Sequence, residues 1–279
     1  MLTESAFVTG GASGVGRAIA QMLASKNIAV FIVDRDEAGA RAVAQETKGS
    51  YAVVDVTSWE SQQAAFSQAV SQLGRIDYVF PVAGISENVW LSQSAAAALA
   101  PFEKPNLQVL DINVTGAMYT VALAVQQFRR QTRNCHGLRG KIIIAGSVCG
   151  IYCCPGLPIY TASKHAITGL VRSWGQALPA EGITLNSINP NAMRTNISTG
   201  EFYQMLEAEG LLTPLAGAVD ACARLLGKNA ESGECFEIGP NYARGQGFVK
   251  PKFAPLEDEA QIRVFKKLEA RGAAKQHKL

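Results

Sequence analysis

Short apolar runs along the chain alternate with longer segments in which apolar residues recur every three or four positions. The runs have the length of buried strands and fall at 5–9, 28–33, 51–54, 76–80, 141–145, 183–188 and 235–238. The segments between them show the period of amphipathic helices, as at 17–25 and after Pro158. Strands that alternate with helices form a parallel sheet with helices on both faces. The pattern therefore predicts an α/β fold with seven strands.

Three segments depart from this regular alternation. An alanine-rich stretch at 92–101 predicts a short surface helix or loop, and 105–133 predicts a long helix. Residues 250–279 hold eight Lys or Arg and four Asp or Glu, with a helical pattern at 256–271. We interpret 1–249 as one domain and 250–279 as a charged C-terminal extension, either a solvated tail or a helix that lies on the same chain or on a partner subunit. Basic residues that alternate with aromatic ones for base stacking are missing from it, so we expect neither nucleic acid nor membrane as a partner.

The composition adds few constraints. The 279 residues are 48% hydrophobic and 18% charged, as in ordinary globular proteins. No run of about eighteen apolar residues predicts a transmembrane helix, and the first residues lack the basic and apolar regions of a signal peptide. The six cysteines include no Cys-x-x-Cys pair and the histidines number three, so we expect free thiols and no metal site. The expected location is cytoplasmic.

A glycine-rich segment follows the first predicted strand and precedes the first predicted helix. It reads Thr-Gly-Gly-Ala-Ser-Gly-Val-Gly at 9–16, a variant of the dinucleotide-binding fingerprint. Glycines permit a tight turn and a close approach to a pyrophosphate, and the helix amino end supplies N–H donors and a positive dipole. The alternative is a glycine-rich loop without a ligand. The candidate cofactor-binding residues in this segment are Gly10, Ser13, Gly14, Val15 and Gly16.

The second predicted strand ends at Asp34, about twenty residues after the glycine turn. A carboxylate there accepts hydrogen bonds from the adenosine ribose hydroxyls and repels a 2′-phosphate, which favours NAD over NADP. Arg35 leaves NADP open, because an arginine at this point accommodates a 2′-phosphate.

Tyr160 and Lys164 stand four residues apart in a segment of helical character, so both side chains lie on one helix face. A neighbouring ammonium favours the phenolate and is expected to lower the pKa of the phenol, which then serves as a general acid or base near neutral pH. Taken alone, the spacing is weak evidence, because both residue types are common on helix surfaces.

With these motifs the chain resembles the short-chain dehydrogenase/reductase family over roughly residues 3–240. Ser147 stands thirteen residues before Tyr160, as the family's catalytic serine does. The residues that match the family's motifs are Thr9, Gly10, Gly14 and Gly16 in the cofactor turn, Asp55 and Val56 at the adenine, Ala83 and Gly84 after the fourth strand, Asn113, Ser147, Tyr160, Lys164, Pro190 and Thr195.

The resemblance implies a single doubly wound Rossmann-type domain and an NAD(H)-dependent oxidoreductase. Tyr160 would be the general base in oxidation and the general acid in reduction. Lys164 would hold the nicotinamide ribose, and Ser147 would donate to the substrate oxygen. Asn113 would hold a water that links Lys164 to solvent, and Thr195 would meet the nicotinamide carboxamide. Family members assemble mostly as homodimers or homotetramers.

Two positions depart from the family pattern. Val82 stands where the family has Asn before Ala-Gly, and Pro190-Asn191 stands where it has Pro-Gly. Because Asn tolerates a left-handed backbone better than most residues, we expect the second turn to survive.

The substrate is the least defined part of the prediction. The family's substrate loop corresponds to about 191–214, which is rich in apolar residues, and Cys149 and Cys153 fall between Ser147 and Tyr160. We predict a hydrophobic secondary alcohol or its ketone, with Cys149 and Cys153 lining the pocket or packing as small hydrophobic side chains. The alternatives are a net non-redox isomerisation or cyclisation in the same site, or a non-catalytic NAD(P)-binding protein.

Overall fold

A computed structural model describes residues 4–88, 90–91, 101–241, 247–255 and 257–276, with the backbone alone at 269 and 271–276. The described residues form a seven-stranded, fully parallel sheet in the order β3-β2-β1-β4-β5-β6-β7. The strands are β1 Ser5–Thr9, β2 Ala29–Asp34, β3 Ser50–Val53, β4 Tyr78–Pro81, β5 Gly140–Ala145, β6 Ile183–Pro190 and β7 Cys235–Ile238. The strand order reverses between β1 and β4, which is where a doubly wound sheet opens a crevice for a ligand.

Helices connect the strands and cover both faces of the sheet. They are α1 Gly14–Ser25, α2 Glu37–Thr47, α3 Trp59–Leu73, α4 Gln108–Leu110, α5 Ala117–Arg130, α6 Pro158–Ala177, α7 Gly200–Ala208, α8 Leu215–Arg224 and α9 Glu259–Gln276. The predicted α/β fold, with seven parallel strands and helices on both faces, is confirmed. The alanine-rich segment predicted at 92–101 lies outside the described residues up to position 100.

Alternate residues of the strands fill two separate apolar cores. In β1, Ala6 and Val8 pack with α1, α2 and α8 on one face, and Phe7 packs on the other face with Phe31 and Phe66. Successive side chains of a strand point to opposite faces. Strands buried on both faces therefore read as continuous apolar runs, the pattern from which they were predicted.

The predicted long helix contains one π-helical turn. A turn with i to i+5 hydrogen bonds, Asp111–Gly116, joins α4 to α5 and contains Asn113. Turns of this kind insert a residue and commonly mark functional sites. By length and composition alone, Gln108–Arg130 could cross a membrane, but half of its apolar window is buried inside the protein, as in the core helix of a globular fold.

The start of the predicted C-terminal extension contacts the domain. Lys250 Nζ lies 2.6 Å from Glu231 Oε1 and 3.1 Å from Glu234 Oε1. The Arg172 guanidinium lies 3.7 Å from the centroid of the Phe253 ring, a cation–π contact with α6. The boundary predicted at 249 thus falls within a segment that packs on β7 and α6.

A buried cation lies at the amino edge of the sheet, opposite the site described below. Lys141 on β5 is 2% exposed and donates to the Asn229 carbonyl. Burial lowers its pKa to about 8, against a smaller raising effect from Glu4. Between that value and the ordinary pKa of about 10.4 the folded chain binds fewer protons than the unfolded chain, so Lys141 makes folding more favourable as pH rises through this window.

Lys141→Met removes the titrating group, so its free energy of unfolding does not share this rise with pH. We expect the free energy of unfolding of Lys141→Met minus that of the wild type to fall by about 1–2 kcal/mol between about pH 7 and pH 9.5. Urea denaturation of both proteins at the two pH values measures this difference of differences. Lys26→Met is the control, because that exposed side chain stays in water in both states. A stability difference that does not change with pH would contradict the assignment to Lys141.

Candidate active site

The glycine turn after β1 is closed by contacts that leave no room for side chains. Gly10 has a φ of +68°, and a Cβ there would lie 2.7 Å from the Ala83 Cα. A Cβ at Gly16 would lie 2.1 Å from the Gly10 carbonyl oxygen, and Gly14 has a φ of +50°. These positions require glycine, and they bring the start of α1 against the end of β4.

The amino end of α1 leaves its first N–H groups open to an anion. Ser13 occupies the N-cap position, but its side chain makes no capping hydrogen bond and the first turn holds no acidic residue. By contrast, Asp36, Ser58 and Thr199 cap α2, α3 and α7. A cavity of about 300 Å³ beside this turn is lined by Gly14, Arg17, Ala18, Gln21, Arg194, Thr195, Asn196 and Leu215. Unused N–H donors, a positive helix end and adjacent arginines fit the pyrophosphate of a dinucleotide.

The acidic residue at the end of β2 points back to the glycine turn. Asp34 Oδ2 accepts from the Ala12 N–H at 3.0 Å, and its Oδ1 accepts from the Asp36 N–H at 3.1 Å. Asp55 follows β3, and its pKa is lowered by hydrogen bonds from the Thr57 backbone and hydroxyl, with a smaller effect from Arg35. Arg35 itself is exposed.

Two further predicted cofactor-binding residues, Val56 and Pro190, lie at the same edge of the sheet. Val56 packs against Gly116, where a Cβ would lie 3.0 Å from the valine side chain. Pro190 ends β6 and pairs with Ile238. The structure thus places all of the predicted cofactor-binding residues along the carboxyl ends of the strands.

Ser147, Tyr160 and Lys164 meet at the carboxyl ends of β5 and β6. Ser147 follows β5 and is 6% exposed, and its hydroxyl lies close enough to the Tyr160 phenol to lower the pKa of that phenol. Lys164 Nζ lies 5.6 Å from the centroid of the Tyr160 ring and donates to the Ala145 carbonyl at 2.9 Å. An ammonium has three N–H donors, and the bond to Ala145 uses one of them. A buried lysine with donors to spare suits the hydroxyl groups of a ribose.

Burial dominates the electrostatics of this pair. The pKa of Tyr160 is raised to about 12, chiefly by burial, while the hydrogen bond from Ser147 lowers it by less. Burial lowers the pKa of Lys164 to about 8. The pKa of Tyr160 is therefore raised where we expected Lys164 to lower it, because removing a phenolate from water outweighs an ammonium 5.6 Å from the ring centroid.

Asn113 forms hydrogen bonds with both α6 and the segment after β4. Its Oδ1 accepts from the Ile85 N–H at 2.9 Å, and its Nδ2 donates to the Ile85 carbonyl at 3.0 Å and to Ser163 Oγ at 3.2 Å. A Cβ at Gly84 would lie 3.2 Å from Asn113 Oδ1 and 3.7 Å from Lys164 Nζ. The bare glycine keeps open the space between the amide and the ammonium.

The model of the short chain dehydrogenase family matches residues 4–205. The chain belongs to the short-chain dehydrogenase/reductase family. The short-chain dehydrogenase/reductase prx4 of Penicillium rubens is 31% identical over 204 residues, which are 73% of this chain and 59% of that protein. The chain thus spans about three fifths of the length of that relative.

Two further relatives carry reductase names. A 3-oxoacyl-(acyl-carrier-protein) reductase of Bos taurus is 27% identical over 215 residues, 76% of this chain and 85% of that one. The crystal structure of a 3-ketoacyl-(acyl-carrier-protein) reductase from Brucella melitensis complexed with NADH superposes with a TM-score of 0.73. The two sequences are 23% identical, and the superposition covers 86% of this chain and 98% of the Brucella chain. This likeness shows a shared fold.

One of the two departures from the family pattern, Val82, is compensated by Thr9. Its hydroxyl oxygen accepts from the N–H groups of Val82 at 3.1 Å and Ala83 at 3.3 Å, joining the ends of β1 and β4. Asn191 does not adopt the left-handed backbone on which our expectation for its turn was based. Its φ is not positive; instead its Oδ1 accepts from the Ala192 N–H at 2.8 Å and its own N–H donates to Ile238 at 2.9 Å.

The candidate substrate side of the site is formed by the loop after β5 and by α7. Cys149 is half-buried and its N–H donates to Ser147 Oγ at 3.2 Å, while Cys153 is exposed. The structure therefore brings Cys149 to Ser147. Thr195 Oγ1 lies 3.2 Å from the hydroxyl of Tyr203, a buried residue of α7.

Three polar residues that hold the candidate site together were not predicted from the sequence. Asn189 Oδ1 accepts from the Ser147 N–H at 3.3 Å, Ser163 Oγ donates to the Tyr160 carbonyl at 2.7 Å, and Glu87 accepts from the Tyr160 N–H at 2.7 Å. Asn189 had a usable signal, a polar side chain inside an apolar strand. Glu87 had none, because its partner lies 73 residues later.

Proposed function

We propose that this protein is an NAD(H)-dependent oxidoreductase that transfers a hydride between a hydrophobic secondary alcohol or ketone and nicotinamide. The observation that carries the proposal is the cluster of buried Ser147, buried Lys164 and half-buried Tyr160, located at the sheet edge that also holds the glycine turn and the uncapped start of α1. The cofactor supplies the hydride chemistry, and the protein supplies orientation and proton transfer.

In ketone reduction Tyr160 donates its proton to the substrate oxygen. Its raised pKa, about 12, keeps the phenol protonated at neutral pH, which suits a proton donor. The Ser147 hydroxyl lies beside that phenol and donates to the oxygen on which negative charge develops. Lys164 holds the nicotinamide ribose. In oxidation the same groups work in reverse, with Tyr160 as the base.

The support for NAD over NADP is the fixed carboxylate of Asp34. Two backbone N–H groups orient it at the end of β2, so a 2′-phosphate would meet a negative charge. Arg35 is exposed and acts electrostatically on Asp55. The NADH complex of the Brucella melitensis reductase is consistent with this preference.

The support for a hydrophobic substrate is the apolar surface around the site mouth. Ile197, Phe202 and Met205 are 46%, 40% and 51% exposed on and beside α7. The reductase name of the Bos taurus relative points to a carbonyl on an acyl chain, which would suit such a surface. Assembly as a homodimer or homotetramer and a cytoplasmic location are further proposals, taken from the family resemblance and the free thiols.

We expect NADH to bind at least about tenfold more tightly than NADPH, and Asp34→Asn to remove most of that preference. The asparagine keeps an acceptor for Ala12 and removes the negative charge. Fluorescence titration with each cofactor measures both affinities. Asp36→Asn, which removes a charge two residues away, should leave the ratio unchanged. Equal effects of the two variants would mean that the preference follows net charge and not Asp34.

The wild type is then screened with NADH and hydrophobic ketones. NADH consumption with a ketone supports the proposed function. Binding of either cofactor with no consumption across the panel favours net non-redox chemistry or a non-catalytic role. Binding of neither cofactor contradicts the proposal.

A further inference from the structure

The amino end of the catalytic helix is capped by a residue from a distant segment. Leu157 occupies the N-cap position of α6 and has no polar side-chain atom. The N–H of Tyr160, in the first turn, donates instead to Glu87 Oε2 at 2.7 Å. Glu87 is half-buried and lies six residues after β4. A short hydrogen bond to a charged carboxylate is among the stronger protein hydrogen bonds.

Both polar backbone groups of Tyr160, its N–H and its carbonyl, are bound by side chains. While Glu87 binds its N–H, Ser163 Oγ donates to its carbonyl at 2.7 Å. Asn113 then joins Ser163 to Ile85, two residues before Glu87. The hydrogen bonds form a closed ring that joins the segment after β4, the π turn and the first turn of α6. Such a network fixes the position of the phenol more tightly than helix packing alone.

We propose that Glu87 is a positioning residue for Tyr160, whose carboxylate fixes the first turn of α6 so that the phenol stays at Ser147; this rests on the role proposed above for Tyr160. A misplacement of about 1 Å at a reacting group lowers rates by around 100-fold.

The groups that face Tyr160 come from four elements. They are Lys164 on α6, Cys149 after β5, Tyr203 on α7 and Glu87 after β4. Glu87 is the carboxylate of this set, so removing its charge favours the phenolate form of Tyr160. The oxidation reaction, which needs the phenolate, should therefore start at lower pH.

The test compares Glu87→Ala and Glu87→Gln with the wild type, using the alcohol and ketone found in the screen. Glu87→Ala should lower kcat/KM roughly 10- to 100-fold, with NADH affinity within about threefold of wild type. Glu87→Gln should recover most of the rate, because its amide oxygen accepts the same hydrogen bond. In both variants the acid limb of the oxidation profile should move down by about 0.5 to 1 pH unit.

Asp258 offers a matched control. Its carboxylate caps the exposed helix α9 through the Gln261 N–H at 2.7 Å, so it has the same chemistry at a helix outside the site. Asp258→Ala and Asp258→Asn should leave kcat/KM and the pH profile at wild-type values.

Several outcomes would overturn the inference. One is a folded Glu87→Ala with wild-type rate and profile; another is a folded Glu87→Gln that is no better than Glu87→Ala. If Glu87→Ala does not fold, an unshifted pH profile of Glu87→Gln overturns the inference. Tyr160→Phe separates the two proposals. If that variant keeps full turnover, the proposed function fails. If it is inactive while the Glu87 variants match the wild type, only the role of Glu87 fails.

Discussion

Tyr160→Phe should lower kcat/KM for hydride transfer roughly 100- to 10,000-fold, the range over which a positioned general acid or base contributes. The ring stays, so the packing beside Lys164 is preserved, but the hydroxyl that exchanges the proton beside Ser147 is lost. NADH affinity should change by less than about threefold, since the phenol oxygen contributes to proton transfer more than to cofactor binding. Steady-state rates and fluorescence titration of one preparation measure both quantities.

Tyr119→Phe is the matched control for this experiment. Tyr119 lies on α5, where its ring packs edge-on against Trp59 at a centroid distance of 5.4 Å, outside the site. Loss of its hydroxyl should leave kcat/KM unchanged. A Tyr160→Phe variant that turns over like Tyr119→Phe would show that another group moves the proton, and the assignment of Tyr160 would be wrong.

The fold was predictable because most of the strands are buried on both faces, edge strand β3 being the exception. Continuous apolar runs such as 28–33 and 183–188 appear as β2 Ala29–Asp34 and β6 Ile183–Pro190, with ends within two residues. The π turn at Asp111–Gly116 was not predictable, because no local sequence pattern separates i to i+5 from i to i+4 hydrogen bonding. It depends on packing: Asn113 reaches Ile85 and Ser163 from this turn, and both partners come from distant segments.

The site was predictable as a set of residues and not as an electrostatic environment. Sequence spacing placed Tyr160 and Lys164 one helical turn apart, and the structure has them so. The pKa of Tyr160 rises because the phenol is buried, and burial depends on the loops that cover it. In the same way, the carboxylate that caps α6 belongs to the segment after β4, and no local pattern connects the two.

Gly16→Ala should lower NADH affinity at least about 100-fold, a loss near 2.7 kcal/mol. The added Cβ would lie 2.1 Å from the carbonyl oxygen of Gly10 and 2.8 Å from its carbonyl carbon. Both are backbone atoms, so no side-chain rotation relieves the overlap and the turn itself must shift. The N–H groups at the start of α1 then lose their alignment with the pyrophosphate. We also expect a destabilisation of roughly 1–3 kcal/mol, as for other overpacked sites.

Gly169→Ala separates loss of the turn from a general effect of replacing glycine. Gly169 is an exposed residue of α6, and a Cβ there meets nothing within 4 Å. Because alanine is the better helix former, this variant should gain about 0.5–1 kcal/mol of stability and bind NADH as the wild type does. If Gly16→Ala instead binds NADH as tightly as Gly169→Ala, the glycine turn does not hold the pyrophosphate, and the dinucleotide must lie elsewhere along the sheet edge.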